Sequence, residues 1–588
     1  MALKGAEKLV RVAAVADVRE RNCLSAQAEG HTLVLFAYGD QIYAVDNRCP
    51  HMGFPLDRGT VRDGILICHW HHARFDLASG GTFDLFADDA RTYPVVIRDG
   101  DVWVDVAPQS DSAGYYRNRL RDGLERNISL VLAKAVINLL EQGVSPVEPF
   151  RTGIEFGTTY RQAGWGQGLT IHACMMNLLP YLTPQERPRA LYHGLSAVAN
   201  DSDSMAPRFM VRPLPSGETD IPTLKRWLRQ FIEVRDSEGA ERCVVSAIQA
   251  GADDKQMADL LFAAATDHRY IQIGHPLDFT NKAFETLDVI GWEHADQVLS
   301  SLVTAYANAS RMEEANEWRS PHDLVVILQA AFDVLPDALN EGQLRRGDWN
   351  GREALVNVLF GDEPQAIADV LLAALRAGCG PEQLAGAVTY AAALRIARFH
   401  TSNDFGDWDT ALHTFTFANA VQQGLRRVES PDLLRGVFDA AMSVYLDRFL
   451  NIPAARLPQP NGADKSVEPP AMLEKLEAML NQQQQVNPAG DLVARYLYAG
   501  GDPNKLLATL GRLLLRENRD FHTIQTVEAA FRQYQLLRGQ PEAVYVLVAA
   551  ARYLAAHATT TRSQGQVYQI ASRLSRGERL FEDDEATD

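Results

Sequence analysis

Cys49-Pro50-His51, followed by Cys68-His69-Trp70-His71, is the most informative pattern in the amino-terminal part of the chain. Read as C-x-H, sixteen intervening residues and C-x-x-H, it offers two thiolates and two imidazoles on two short segments. A [2Fe–2S] centre in which two cysteines bind one iron and two histidines bind the other requires this set of ligands. A Cys2His2 zinc site uses the same residue types, but it more often shows C-x-x-C or H-x3–5-H spacing. The spacing therefore favours an iron–sulfur cluster over zinc.

The sequence around these two segments alternates short apolar runs with turns. Thr32-Leu33-Val34-Leu35-Phe36 and Gln41-Ile42-Tyr43-Ala44-Val45 flank Gly39-Asp40, which is a hairpin signal. A second pair of runs, Val95-Val96-Ile97 and Val102-Trp103-Val104, flanks another glycine-containing turn. Closely spaced strands of this kind predict a small antiparallel barrel or sandwich.

Residues 1–107 resemble a Rieske ferredoxin-type domain. The likeness is carried by Cys49-Pro50-His51 and by the continuous run from Cys68 to Asp76, which reads CHWHHARFD. The matching positions imply that the cluster ligands are Cys49, His51, Cys68 and His71. His72 stands where the family commonly has glycine. The extra cysteine pair of respiratory-chain Rieske proteins is absent, which favours the soluble ferredoxin and oxygenase-associated branch.

Composition limits the partners and the compartment. A chain of 588 residues predicts several domains, and 46% apolar with 22% charged residues is ample for large cores. The net charge of −18 argues against nucleic acid, because phosphate binding requires a basic face. The sequence shows neither an apolar run long enough to span a membrane nor a secretory signal, so no membrane association is expected. The remaining cysteines, Cys23, Cys174, Cys243 and Cys379, are scattered, which predicts a reduced, cytoplasmic protein rather than a disulfide scaffold.

The predicted fold is multidomain, with an all-β Rieske-type barrel or sandwich at residues 1–107 followed by a large all-α domain. A linker over residues 108–115 separates the two, and helical periodicity then extends over residues 116–452. A proline-rich loop at residues 453–470 interrupts this pattern. Residues 471–588 are again helical, and we expect them to pack on the α domain.

Ten of the 15 histidines lie after residue 107, several of them in strongly apolar segments. A single buried histidine is commonly satisfied by one hydrogen bond. Burying several imidazoles in apolar helices is costly unless they bind a common partner, and a mononuclear iron ion between helices would be such a partner. A one-electron carrier in the same chain also requires an electron acceptor. We therefore predict a second iron site, with His172, His275, His400 and His413 as first choices of ligand and His193, His294 and His522 as second choices.

Two charged residues accompany these histidines. Asp409 precedes His413 by four residues, so the two share one face of a helix. This position suits either a metal ligand or a carboxylate that orients the imidazole. Lys282 lies beside an apolar stripe that includes Phe279 and Ala283. We interpret it as a snorkelling or ion-paired lysine rather than as part of a metal site.

The helical region resembles the questin oxidase-like family on short motifs. These are His275-Pro276-Leu277 with Ala283 and Glu285, and later Leu412-His413-Thr414-Phe415-Thr416. The likeness covers roughly residues 120–450. It implies oxidative opening of aromatic polyketide rings, in some members with a histidine-bound non-haem iron. The D/E-x-x-H-x4-H spacing of standard ring-hydroxylating α subunits is missing, so we do not expect that type of catalytic domain.

The leading functional hypothesis is an oxidoreductase. An external reductase passes electrons to the Rieske cluster, which relays them to non-haem iron for O2-dependent oxidation of a small apolar, aromatic or polyketide-like substrate. The alternative is a non-enzymatic ferredoxin-like electron-transfer or redox-sensing protein with a helical interaction domain. A zinc-stabilised binding protein is a third possibility that the spacing disfavours.

Overall fold

The computed structural model describes residues 8–107, 112–215, 219–347, 349–460, 468–482, 484–516, 519–558, 565–576, 578 and 580. It confirms an all-β amino-terminal region followed by a large all-α region. Residues 108–111 of the predicted linker and 461–467 of the predicted proline-rich loop lie outside the described residues. Within the described segments, none of the helices combines the length and hydropathy that crossing a bilayer demands.

The strands of the amino-terminal region are β1 (Leu9–Ala14), β2 (Cys23–Ala28), β3 (His31–Tyr38), β4 (Gln41–Asp46), β5 (Thr60–Arg62), β6 (Ile65–Ile67), β7 (Arg74–Asp76), β8 (Thr92–Tyr93), β9 (Val95–Arg98) and β10 (Asp101–Asp105). They form three antiparallel sheets with strand orders β1-β10-β9, β2-β3-β4-β8 and β5-β6-β7. A short helix, α1 (Val15–Arg21), connects β1 to β2. Both predicted hairpins are confirmed: Tyr38 pairs with Gln41, and Arg98 pairs with Asp101.

Strand β3 supplies two cores because its successive side chains point to opposite faces. Val34 and Phe36 enter the core that also contains both candidate cluster cysteines. Leu33 and Leu35 enter a second core on the other face. The continuous apolar run of β3 therefore indicates a strand that is buried on both faces. One of these faces packs in the same core as the cluster cysteines.

The remaining helices are α2 (Ser112–Glu125), α3 (Ser129–Glu141), α4 (Val147–Thr159), α5 (Gln167–Leu178), α6 (Arg187–Ser202), α7 (Ile221–Glu233), α8 (Ser237–Gln249), α9 (Asp254–Thr266), α10 (His275–Ile290), α11 (Ala295–Ser300), α12 (Val303–Asn308), α13 (Leu324–Gln343), α14 (Arg352–Leu359), α15 (Pro364–Arg376), α16 (Pro381–Ala397), α17 (Phe405–Arg427), α18 (Pro431–Leu446), α19 (Pro469–Met479), α20 (Val486–Tyr498), α21 (Pro503–Leu515), α22 (Phe521–Leu536), α23 (Ala543–Ala556) and α24 (Gln566–Ser575). Helix α19 begins at Pro469, inside the predicted loop, because proline is favoured in the first turn of a helix.

The chain folds into two compact units. The first unit comprises residues 1–149 and 565–588, and in it α3 packs against both α2 and α24. The second unit comprises residues 150–564. The predicted boundaries at residues 107 and 116 both fall inside the first unit: residue 107 follows β10, and residue 116 lies within α2. They stay a prediction.

Helices α10, α17 and α22 position the histidines of the second unit. Helix α17 packs against both α10 and α22, and α5 also packs against both. Aspartates mark two of the helix starts: Asp520 accepts a hydrogen bond from the Thr523 amide at 2.9 Å in α22, and Asp407 accepts one from the Asp404 amide at 3.0 Å in α17. Helix α10 carries Pro276 in its first turn, where no backbone donor is needed.

Candidate metal centres

The predicted cluster residues lie on two loops of the first unit. Cys49 and His51 follow β4, and Cys68 and His71 follow β6. Each cysteine amide donates a hydrogen bond to the carbonyl five residues further along, at 2.8 Å for Cys49 and 2.9 Å for Cys68. The two loops are therefore closed in the same way, and each presents one cysteine and one histidine.

The fourth residue after each of these cysteines has a left-handed backbone. Gly53 has φ +80° and His72 has φ +61°. The left-handed region costs a non-glycine residue about 1–2 kcal/mol, because Cβ approaches the following carbonyl oxygen. The turn therefore explains why glycine is common at the position of His72, and the loop accepts histidine there at the expense of some strain.

Both candidate cysteines are buried, with 2% of Cys49 and 1% of Cys68 exposed. Their side chains are hydrogen-bonded to each other, which lowers the pKa of Cys68 to about 6 and raises the pKa of Cys49. Backbone hydrogen bonds from Trp70 and His71 also favour the Cys68 thiolate. Because metals bind the thiolate and not the thiol, this pair is suited to coordination.

The two histidines face each other beside the cysteines. The ring centroids of His51 and His71 are 4.9 Å apart, with the rings nearly perpendicular. Burial, helped by His71 and Lys134, lowers the pKa of His51 to about 4, so this imidazole is neutral. Its Nδ1 is buried and makes no hydrogen bond within the described part of the chain. A buried nitrogen without a partner costs about 1–3 kcal/mol, which a metal bond would remove. The residues present therefore fit a [2Fe–2S] cluster of the Rieske type.

Lys134 of α3 contacts the first cluster loop, which the sequence analysis did not anticipate. Its ammonium donates to the Pro50 carbonyl and lies 3.4 Å from the His51 carbonyl. It also pairs with Asp88 at 3.0 Å, and Arg119 of α2 pairs with the same carboxylate at 3.0 Å. The signal in the sequence was a single lysine within a mostly apolar helical segment.

Three of the predicted iron ligands converge in the second unit. His275 begins α10, His413 lies within α17, and His522 lies in the first turn of α22. One nitrogen of each ring lies within 4.8 Å of the other two. The Nε2 atoms of His413 and His522 are 3.1 Å apart. Two nitrogens that share one ion at about 2.1 Å and a right angle are about 3.0 Å apart, so this spacing fits a shared metal. We call these three residues the histidine triad.

The environment keeps two of the triad imidazoles, His275 and His413, in the form that binds metals. His413 is 8% exposed, and burial together with its two histidine neighbours lowers its pKa to about 3. Burial and the nearby His522 lower the pKa of His275 to about 4. A neutral imidazole keeps a free nitrogen lone pair for a cation. These two rings are therefore ready to coordinate at neutral pH.

Asp409 lies behind the triad. Its Oδ2 is 3.6 Å from Nδ1 of His522, and its Oδ1 accepts a 2.7 Å hydrogen bond from the hydroxyl of Tyr553. A carboxylate on Nδ1 favours the tautomer that leaves Nε2 free for a metal. The position of Asp409 therefore suits orientation of the His522 imidazole.

The backbone that leads into His275 is strained. Tyr270, Gln272 and Ile273 have φ values of +41°, +42° and +48°, and Gly274 has φ +93°. A β-branched residue such as Ile273 is a genuine outlier in the left-handed region. Strain of this kind persists only where the surrounding structure enforces it, and it clusters at functional sites. The unusual path sets His275 at the first position of α10.

A cavity of about 640 Å³ adjoins the triad. His413 and Asp409 contribute to its wall, together with the aromatic side chains of Tyr270, Trp318 and Tyr445. Sites for small organic molecules are about 300–1,000 Å³ in volume and mostly apolar, with a few polar groups. This cavity has the size and lining of such a site.

Two of the other predicted ligands are buried and bonded to backbone carbonyls. His172 is fully buried and its Nε2 lies 3.0 Å from the carbonyl oxygen of Phe150. The Nε2 of His193 lies 3.0 Å from the carbonyl oxygen of Leu515. Burial lowers the pKa of both imidazoles to about 4. Neither residue belongs to the triad.

His400 and His294 also lie outside the triad. Nδ1 of His400 is 2.6 Å from the hydroxyl of Ser402. His294 ends a short 3-10 turn and lies 4.0 Å from the carboxylate of Glu293. Their ring nitrogens therefore have polar neighbours of their own.

Lys282 is an ion-paired residue, as one of the two interpretations of the sequence held. It is 1% exposed, and its ammonium lies 3.0 Å from Glu285 and 2.6 Å from Glu528. Because it is buried, it does not snorkel to solvent.

Comparison with known proteins identifies the family of the amino-terminal part of the first unit. Residues 8–94 match the family model of the Rieske [2Fe-2S] domain. The 3-phenylpropionate/cinnamic acid dioxygenase ferredoxin subunit of Photorhabdus laumondii is 35% identical over 79 residues, which cover 13% of this chain and 75% of the relative. The ferredoxin component of the naphthalene 1,2-dioxygenase system of Pseudomonas putida is 30% identical over 101 residues, covering 17% and 97%. Among solved structures, the ferredoxin of carbazole 1,9a-dioxygenase from Nocardioides aromaticivorans is 28% identical with a TM-score of 0.16, covering 17% of this chain and 99% of that one. Through residues 8–94, the chain belongs to the Rieske [2Fe–2S] domain family.

Proposed function

We propose that this protein is an iron-dependent oxidoreductase that uses a Rieske cluster to supply electrons. Cys49, His51, Cys68 and His71 hold the cluster, and an external reductase provides its electrons. The histidine triad holds a mononuclear iron ion, which those electrons reach. The reaction is the O2-dependent oxidation of a small apolar substrate bound in the adjoining cavity. The observation that carries this proposal is the convergence of three imidazoles beside a cavity, in a chain that also contains a Rieske domain.

Each part of the chain has a defined task in this proposal. When bound, the cluster supplies electrons one at a time, and histidine-bound iron with open positions supplies O2 binding. Asp409 holds the His522 ring in the tautomer that presents Nε2. Tyr270 and Trp318 provide flat apolar surfaces against which a planar substrate packs and from which water is displaced. The likeness of the helical region to the questin oxidase-like family is the reason for proposing an aromatic or polyketide-like substrate.

Iron is the proposed metal because the chain contains an electron carrier. Imidazole ligands suit zinc, copper, iron and nickel. Zinc has no redox chemistry, so a zinc ion in the triad could not accept electrons from the cluster. A redox-active metal would use them, and iron also supports O2 chemistry at histidine sites.

The second candidate function is electron transfer without catalysis. Both of the relatives described above are named as ferredoxin parts of dioxygenase systems, one a subunit and the other a component. By analogy, this chain would pass electrons from a reductase to a separate oxygenase, or would sense redox state, with its helices binding a partner. The triad would then hold no iron.

Metal and sulfide analysis of anaerobically purified protein tests the two candidates. The oxidoreductase is expected to contain about two sulfides and about three irons per chain, because the cluster accounts for two of the irons. His413→Ala should lose the third iron and keep the Rieske EPR signal of the reduced cluster. His400→Ala is the matched control, because His400 lies outside the triad, and it should keep all three irons. Two irons in every form would favour the electron-transfer candidate, and zinc without sulfide would contradict both.

A further inference from the structure

We propose that Tyr553 and Trp408 form a protective relay that drains oxidising equivalents from the triad metal when no substrate is present. This inference rests on the proposed function, because it requires a redox-active metal in the triad. The relay would spare the histidine ligands, since oxidising power that finds no substrate would otherwise attack the nearest side chains.

The first link is a short path from the metal site to a phenol through one carboxylate. His522 Nδ1 lies 3.6 Å from Oδ2 of Asp409, and the other oxygen of the same carboxylate accepts the 2.7 Å hydrogen bond from Tyr553. One carboxylate therefore separates a triad imidazole from the phenol. The carboxylate that accepts the hydrogen bond of the phenol is placed to take its proton.

The surroundings of Tyr553 favour coupled loss of an electron and a proton. Tyr553 is fully buried, and burial together with Asp409 holds the pKa of the phenol well above its usual value. The hydroxyl therefore keeps its proton until the ring is oxidised. His557 stacks on the phenol ring with centroids 4.0 Å apart, and its Nε2 is 3.9 Å from the Asp409 carboxylate. The proton on Asp409 would thus lie close to two imidazoles.

The second link leads to a different cavity. The indole of Trp408 lies 6.1 Å from the Tyr553 ring, measured between centroids. Trp408 lines a cavity of about 680 Å³, whose wall also includes the exposed residues Thr401 and Asn487. Trp408 itself is 3% exposed, so a one-electron reductant such as ascorbate would reach the indole from within this cavity.

The proposed steps balance in atoms and electrons. Tyr553 gives one electron to the oxidised metal centre, its O–H bond breaks, and the proton moves to Asp409, which leaves a neutral phenoxyl radical. Trp408 then gives one electron to this radical, and the proton returns from Asp409 to the phenol oxygen. The indole cation radical takes one electron from the external reductant. The net result is one electron moved from the reductant to the metal centre.

Freeze-quench EPR of the full-length protein tests the relay without knowledge of the substrate. The sample is protein with ferrous iron in the triad and an oxidised cluster, which is EPR-silent. Hydrogen peroxide is added to start the reaction. Peroxide takes two electrons and two protons as it becomes two water molecules; the ferrous ion supplies one electron and Tyr553 the other. We expect a tyrosyl radical in the wild-type protein and its loss in Tyr553→Phe. Tyr496→Phe, which removes the hydroxyl of another buried tyrosine that donates to the Asp502 carbonyl, should keep the radical.

Two further readouts separate a redox role from a structural one. Asp409→Asn that retains triad iron should lose the radical because the amide cannot accept the proton. Trp408→Phe should prolong the lifetime of the radical because the second electron donor is gone. Mass spectrometry after peroxide treatment should find more oxidation of His413 and His522 in Tyr553→Phe than in the wild type.

The outcomes distinguish this inference from the function on which it rests. If Tyr553→Phe retains triad iron and either gives the wild-type radical or shows no added damage to the histidines, the relay is refuted and the iron site stands. If the wild-type protein binds iron in the triad and forms no tyrosyl radical, the relay is likewise refuted. If the wild-type protein binds no iron beyond that of its cluster, the proposed function fails and the relay fails with it.

Discussion

The buried residue Lys282 provides the sharpest test of how the triad helices are held together. Its ammonium joins α10 to α22, because it pairs with Glu285 of its own helix and with Glu528 of the other. Lys282 lies seven residues after His275, and Glu528 lies six residues after His522. The ion pair therefore lies about two turns from the triad on both helices. Replacement by methionine removes the charge and keeps a similar side-chain length.

We expect Lys282→Met to lower the free energy of unfolding of the second unit by about 3 kcal/mol. Removing one partner of a buried ion pair costs about 3–5 kcal/mol, because the other charge stays buried without compensation. The lower value applies here because Arg532 remains 3.3 Å from Glu285 and 3.2 Å from Glu528. Lys282→Met should also weaken retention of triad iron and leave the cluster signal unchanged.

The pH dependence of this loss has a definite sign. Burial raises the pKa of Glu285, but Lys282 and Arg532 outweigh burial and hold the pKa at about 2. Without Lys282 this pKa rises, so Glu285 takes up a proton at a higher pH in the variant. The difference in unfolding free energy between wild type and variant is therefore largest near neutral pH and shrinks as the pH falls.

Urea unfolding followed by circular dichroism measures the loss, and Lys225→Met is the matched control. The ammonium of Lys225 pairs with Asp259 at 2.7 Å and Asp432 at 2.9 Å, but its side chain is 20% exposed. Solvent screens this pair, so its loss should cost about 1 kcal/mol or less. If Lys282→Met destabilises the protein no more than Lys225→Met does, the argument from burial is refuted.

Three further substitutions test the cluster loops and the buried histidines. Cys49→Ser should abolish the cluster, seen as loss of acid-labile sulfide and of the EPR signal, because a hydroxyl is a poor replacement for the thiolate; a retained signal would contradict the ligand assignment. His72→Gly should stabilise the first unit by about 0.5–1 kcal/mol, because the relief of left-handed strain is larger than the cost of the added conformational entropy of glycine in the unfolded chain. A lower melting temperature of the variant would contradict this. His172, whose pKa burial lowers to about 4, binds a proton near pH 6.5 when unfolded, so stability should fall as the pH drops from about 6.5 to 4. In His172→Gln the slope of unfolding free energy against pH should decrease by one proton over that window, and an unchanged slope would refute the assignment.

The sequence by itself determined the Rieske part of the protein, because the signals there are local. The ligand segments from Cys49 to His71 span 23 residues, and their spacing is set by two loops that each close on themselves. The hairpin around Gly39-Asp40 is also a short-range feature, readable from turn chemistry and from alternating side chains. For the same reason the division into strands and helices could be read from the periodicity of apolar residues.

The tertiary structure decided which histidines meet. His275 and His413 are 138 positions apart, and His413 and His522 are 109 apart. Their helical segments look no different in sequence from the one that carries His172, which is fully buried and lies against a backbone carbonyl. The first and second choices made from sequence therefore mixed triad members with others.

The contacts of Lys134 and Tyr553 were likewise decided by packing. Lys134 reaches the cluster loop from a helix 83 residues beyond His51, and Tyr553 reaches Asp409 from 144 residues away. Periodicity within a helix shows which face is apolar, but it does not encode which other helix covers that face. The packing of α10, α17, α22 and α23 supplies that information, because only it brings side chains from distant parts of the chain within bonding distance.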